Sequence, residues 1–514
     1  MQRLKSWLAR PALAPFAIPI LFATPLWQSN FLLLPYQDFL PSEIVALLLV
    51  GLLLVLVYAI QRNWQRAALI TLIWTAFLFY SPTIVGFVTG SDLAQRLLIL
   101  ALAVIVWDMA RKVPSDPEKL ARANFLANVT IVPAALAMAA AVAIQLVALE
   151  AERPEPQEVF ADFAGKADAK SPDVWHIVMD RYASADTLSR VYGYDNRPFL
   201  AELRKRGFAV NEQAHSNYQF TAPSLASTLN AAYLDGMAQA VGRGDDQVPL
   251  FTAIRQSQAL RFFKGQGYQT IFAGSRANVT VRSEIADRNI NYRELSEAPR
   301  TMLGYSLPGL VGRALGAPYS DARTDQCLRE KVKFAELRAV AGQGGRKYVF
   351  AHFLVPHPPF TLSADGHCRS ARQEAQSTRT ENYNGQLAYA NRELLRLIDA
   401  ILAGPRPATI VLHADEGPYP VEIARDEIAN GDLSAIDDWT KVGRDKLREK
   451  TGILLAIRHA DGMIASAPET PVNIYPLILN RSFGADMPIR PERIFIFPNT
   501  RKLYQLSDMT DAIR

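Results

Sequence analysis

The chain has 514 residues, too many for one ordinary hydrophobic core, so it divides into at least two structural units. Its 55 Lys and Arg against 50 Asp and Glu leave a net charge of +5, but no basic stripe interleaved with aromatics is present, which excludes a nucleic-acid groove. A mean hydropathy near zero averages two solvents: long apolar runs up to about Leu149, and charge at a soluble density from Glu150 onward.

Five apolar segments of membrane-spanning length come first, at residues 11–31, 43–60, 67–88, 94–109 and 125–149, the fourth being the shortest. Arg3, Lys5 and Arg10 precede the first, Arg62 and Arg66 follow the second, and Arg111, Lys112, Lys119 and Arg122 follow the fourth. The loops on the other side carry almost no Lys or Arg apart from Arg96. This asymmetry predicts a multi-pass protein of the cytoplasmic membrane with its N-terminus inside and residues 172–514 outside. A cleaved signal peptide does not fit, since a second span follows the first directly. The spans show no central charged pairs or broken half-helices, which argues against a transporter. Residues 150–171, with Pro154 and Pro156, read as a linker.

Beyond the linker, short apolar runs at 174–179, 268–273, 348–354, 409–413 and 452–457 alternate with helical patterns such as 198–206 and 386–402. The pattern predicts an α/β domain on a mostly parallel sheet. Leu387, Leu394, Leu395, Ile398 and Leu402 recur at helical spacing and form a core stripe. Functional groups of open α/β sheets gather at the carboxyl ends of strands, and Asp180, His357, Asp415 and Glu416 stand just after such ends. Neither a GxxxxGK loop nor a GxGxxG after a strand is present, so no nucleotide is expected.

Thr221 precedes Ala222-Pro223-Ser224, a helix start with Pro in its first turn, and reads as the N-cap. Its hydroxyl either caps the helix or serves as a nucleophile, and the second role needs a metal or base beside it. Asp180, Asp415 and Glu416 are oxygen ligands suited to such a metal, or strand-end caps. Prolines on both sides of His357 fix a rigid loop from which its ring can bind a phosphate or protonate a leaving oxygen. His352, within the strand, reads either as a core histidine or as a substrate contact at the same edge. Cys327 and Cys368 either close a disulfide or remain two buried thiols.

These segments resemble the alkaline phosphatase and sulfatase superfamily, and in particular its membrane-anchored branch of lipoteichoic acid synthases and lipid A phosphoethanolamine transferases. Thr221-Ala222-Pro223-Ser224 is similar to the sulfatase Cys-x-Pro-Ser signature with threonine in the nucleophile position. Asp180, His357 and Asp415 match the metal-binding strand-end acid, the substrate histidine and the Ser-Asp-His-Gly aspartate. The stretches Ser216-Asn217-Tyr218 and 352–360 resemble bacterial sulfatase-like membrane proteins, which gives Asn217 and His352 substrate contacts.

The resemblance implies an extracytoplasmic, metal-dependent transferase or hydrolase that acts on phosphodiester headgroups, with a membrane lipid or cell-envelope glycan as partner. It implies one divalent ion, Mn, Mg, Ca or Zn, held by Asp180, Thr221, Asp415 and Glu416. Two departures qualify it: Thr221 cannot become the formylglycine of sulfatases, which favours phosphorus over sulfur, and Glu416 stands where the branch has a histidine, which disfavours zinc. If Glu416 does not ligate, the alternative is an inactive fold retained as an envelope regulator or lipid sensor.

Overall fold

The computed structural model describes residues 12–33, 39–89, 92–241, 244–275, 278–292, 302, 304–314, 322–421, 423, 436–462 and 466–514. Its contacts fall into two compact units, residues 1–152 with 295–321, and residues 153–294 with 322–514.

The first unit is helical: α1 (Ala14–Gln28), α2 (Leu40–Gln61), α3 (Trp64–Val88), α4 (Asp92–Arg111) and α5 (Pro117–Glu152). The last four are long and apolar enough to cross a membrane, whereas α1, with 15 residues and internal Pro19 and Pro25, is shorter than a span. Arg3, Lys5 and Arg10 lie outside the described residues. Leu48, Leu49, Leu52 and Leu100 are more than half exposed, as suits a surface facing lipid. The soluble sequence also contributes to this unit: Met302 packs with Ala23 and Ala46, and Leu307, opening the helix Leu307–Ala314, packs on Phe77, Val85 and Ile99. The expected boundaries therefore shift.

The second unit is built on a seven-stranded sheet of order β2-β7-β6-β1-β5-β3-β4. The strands are β1 (Asp173–Met179), β2 (Ala209–Asn211), β3 (Gln269–Ala273), β4 (Arg288–Asn289), β5 (Lys347–Phe353), β6 (Ala408–His413) and β7 (Leu455–Arg458). Five strands run parallel, while β7 lies antiparallel to both β6 and β2, so the sheet is mixed at one edge. Central β1 is buried along its whole length, which explains its near-continuous apolar sequence. The register sets Val178 beside His352 on one side and beside His413 on the other. Consequently the carboxyl ends of β5, β1 and β6 lie side by side.

The expected linker is partly core, because Phe160 and Phe163 are buried in the main hydrophobic cluster. The helix predicted at 386–402 starts earlier, as Arg379–Leu402, where Thr378 accepts from the Glu381 amide in a capping box. Cys327, in the helix Ala322–Ala341, is bonded to Cys368 in the segment after β5. A closed loop of 41 positions predicts that replacing both cysteines by serine lowers stability by ~4 kcal/mol, measured by chemical denaturation under oxidising conditions.

Candidate metal and nucleophile site

Three buried side chains from three adjacent strand ends converge. Asp180 leaves β1, His352 lies in β5 and Asp415 follows β6, and one ligand atom from each lies within 4.8 Å of the other two. His352 Nε2 is 3.7 Å from an Asp180 oxygen and 3.9 Å from an Asp415 oxygen. Asp180 Oδ1, His352 Nε2 and Asp415 Oδ2 are each buried without a hydrogen-bond partner. Buried polar atoms are almost always paired, so an unpartnered atom on each of three residues whose ligand atoms cluster fits a cation among them.

The other face of His352 is anchored. Nδ1 lies 2.8 Å from Thr280 Oγ1, which in turn is 2.7 Å from Ser275 Oγ. With Nδ1–H donated to Thr280, Nε2 offers its lone pair to the carboxylates, the arrangement of a ligating histidine. Gly274 permits this approach, since a Cβ there would meet the Thr280 carbonyl at 2.0 Å. Lys333, fully buried and paired with Glu330, donates to the His352 carbonyl.

Electrostatics agree with the geometry. Burial, then the Asp415 charge, holds the Asp180 carboxyl well above the usual range. Burial, then Glu416, pushes Asp415 up to about 7, opposed by a hydrogen bond from the Thr221 hydroxyl. Burial likewise keeps His352 neutral, far below the ordinary imidazole value.

Thr221 is the first residue of the helix Thr221–Asn230, and Phe220, not Thr221, takes the extended N-cap backbone. The expected cap is therefore displaced by one position. The Thr221 hydroxyl is turned to Asp415, and Ser224 Oγ donates to the Asp415 carbonyl at 2.6 Å, pinning the helix start against the β6 end.

Glu416 is placed differently from the expectation. One carboxylate oxygen lies 2.9 Å from Arg181 Nε and the other 2.8 Å from Lys450 Nζ, all three groups being buried. Both cations also face the Tyr419 ring, at 4.5 and 4.3 Å. Arg181 reaches this position because its backbone is left-handed, with φ of 61°, which also turns its amide onto Asp415 at 3.2 Å. The cluster of possible ligands consists of Asp180, His352 and Asp415, without Glu416.

His357 is half-buried on the proline loop after β5, its Nδ1 bonded to the Pro358 carbonyl and its charge felt at His352. Asn217 is fully buried, its amide donating to the Arg493 carbonyl at 2.8 Å and accepting from the Val472 amide at 2.9 Å. Sequence reading missed Thr280, Arg181 and Lys450, which no local pattern marks.

The sulfatase family profile matches residues 172–468, more than half of the chain. The chain belongs to the sulfatase family. No curated protein matches it. Among solved structures, this sulfatase-family chain is similar in fold to the C-terminal periplasmic domain of EcEptC from Escherichia coli, with 13% identity, a TM-score of 0.43, and coverage of 68% of this chain and 95% of that one. It is also similar to the integral membrane protein lipooligosaccharide phosphoethanolamine transferase A (EptA) from Neisseria meningitidis, with 12% identity and a TM-score of 0.33 over 88% of this chain and 89% of that one. A phosphonate monoester hydrolase of Agrobacterium radiobacter matches at 13% identity and a TM-score of 0.36, over 63% and 80%.

The raised carboxyls predict a pH dependence. Between the ordinary aspartate value, about 4, and the folded Asp415 value of about 7, the metal-free native state binds more protons than the unfolded chain. Stability of metal-free protein therefore falls as pH rises through that window. Thermal melts should show this fall, and Asp415→Asn should remove much of it.

Proposed function

We propose that the chain is a metal-dependent enzyme of phosphoryl-headgroup transfer or hydrolysis, with Thr221 as nucleophile. The observation that carries the reading is the meeting of three buried ligand groups, Asp180, His352 and Asp415, with the Thr221 hydroxyl turned to the Asp415 carboxylate. A divalent metal held by Asp180, His352 and Asp415 would supply positive charge to a phosphoryl oxygen and acidify the threonine hydroxyl. Two carboxylates and one imidazole suit zinc or manganese better than calcium.

In this reading Thr221 Oγ attacks phosphorus, its proton passes to Asp415, and the bond from phosphorus to the leaving oxygen breaks. The free amides of the first helical turn favour the charge that develops. His357 is the group suited to protonate the leaving oxygen. An acceptor hydroxyl, or water, then attacks the phosphothreonine and restores Thr221. The apolar helices support a membrane setting for this chemistry, and the basic residues at one set of helix ends favour the outer face of a bacterial cytoplasmic membrane. A lipid or envelope glycan is the matching substrate class.

Glu416 no longer argues for an inactive fold, because His352 offers the nitrogen that residue 416 lacks. Its carboxylate instead neutralises Arg181 and Lys450.

Three variants of the full-length protein test the assignment. His352→Ala should weaken metal binding at least about tenfold by calorimetry. Thr221→Ala should stay folded yet yield no phosphothreonine by mass spectrometry after incubation with membrane lipids. Glu416→Gln should lose about 3 kcal/mol of stability by leaving two buried cations underpaired, while keeping its metal. Metal loss in Glu416→Gln with retention in His352→Ala would reverse the ligand assignment.

A further inference from the structure

Below the site, on the same face of the sheet, runs a chain of four buried polar side chains that the proposed chemistry does not use. Tyr348 Oη lies 2.6 Å from Tyr475 Oη, and Tyr475 Oη lies 2.7 Å from His176 Nδ1. His176 Nε2 lies 2.7 Å from His413 Nε2, and His413 Nδ1 lies 2.7 Å from the Ala414 carbonyl. None of the four side chains is exposed.

The direction of every bond follows from its last link. A carbonyl only accepts, so His413 Nδ1 must carry a hydrogen. A charged imidazole is costly in this interior, so His413 Nε2 is left as an acceptor. His176 Nε2 must then donate to it, and His176 Nδ1 must accept from the Tyr475 hydroxyl. The Tyr475 oxygen in turn accepts from Tyr348. One proton arrangement satisfies all four links, and it gives the two histidines opposite tautomers.

We propose that Tyr348, Tyr475, His176 and His413 are positioning residues for the metal centre, holding the Ala414–Asp415 peptide plane so that the Asp415 carboxylate is aimed at Asp180 and His352. Ala414 is otherwise fixed by its amide, which donates to the Leu454 carbonyl at 2.9 Å. With its carbonyl held by His413 as well, the peptide planes on both sides of Ala414 Cα are each tied by one bond, the second being the plane that leads into Asp415. Apolar side chains would fill the same volume with no polar group to satisfy. What the four groups add is orientation, since a fully satisfied buried network specifies one arrangement.

The inference rests on the metal-centre reading given above, and the test separates the two. The full-length protein, labelled with 15N-histidine in lipid, should show His413 protonated at Nδ1 and His176 at Nε2 by solid-state NMR. Tyr475→Phe removes the donor to His176. It should leave the tautomer pattern in place, since the Ala414 carbonyl sets it, but strand His176 Nδ1 and weaken zinc binding about tenfold by calorimetry, while Tyr348→Phe, which keeps the ring stacked on Phe263 at 4.5 Å, should weaken it less. A folded Tyr475→Phe protein with wild-type zinc affinity would overturn the proposal. Should that variant not fold, wild-type zinc affinity in Tyr348→Phe would overturn it equally. Failure of the wild type to bind zinc or manganese would instead overturn the functional reading, and the tautomer pattern would decide the chain: the stated pattern supports it and any other contradicts it.

Discussion

Carboxylates taken out of water must be paired, protonated or bound to a cation, and the sulfatase-family domain sorts its acids by this rule. Glu416 receives two cations, one on each oxygen. Asp173 at the other end of β1 meets Lys347 and Arg406. Among the described residues, Asp180 Oδ1 and Asp415 Oδ2 have no hydrogen-bond partner, and the neutral His352 imidazole lies near both carboxylates. That leaves a site whose electrostatic balance a bound cation would complete, and most of the surrounding structure keeps its geometry: Thr280 behind His352, Ser224 and Arg181 on Asp415, and Lys333 on the β5 backbone.

The topology makes this concentration of charge reachable. Because β1 lies between β5 and β6, segments separated by more than 60 residues in sequence deliver side chains to one spot. The helix beginning at Thr221 enters the same spot with its amide end first, so the group that would attack and the groups that would bear charge share one edge. Glycine at 274 lets the Thr280 backbone approach closely enough to hold the histidine.

Much of this was legible in the sequence. β1, β5 and β6 are buried on both faces and read as apolar runs, and Asp180 and Asp415 stand where those runs stop. β2 and β4, with three and two residues, are too short to leave a period. His352 read as a core histidine or a substrate contact, and not as a ligand, because its partners, Asp180 and Asp415, come from strands that a local pattern cannot pair. Glu416 read as a ligand because it follows Asp415, and nothing near it announces Arg181 or Lys450. Phe160 and Phe163 looked like linker residues since their packing partners lie far along the chain. Residues 302–314 looked soluble, although Leu307 and Met302 pack among the apolar helices.

The central claim is that one metal ion sits among Asp180, His352 and Asp415. The most direct measurement is an anomalous-scattering map from crystals of the protein loaded with zinc or manganese. The account predicts one peak within coordinating distance of Asp180, His352 and Asp415, with Glu416 still bridging Arg181 and Lys450. A peak bound by Glu416 with His352 turned away, or no peak at the three strand ends, would contradict it.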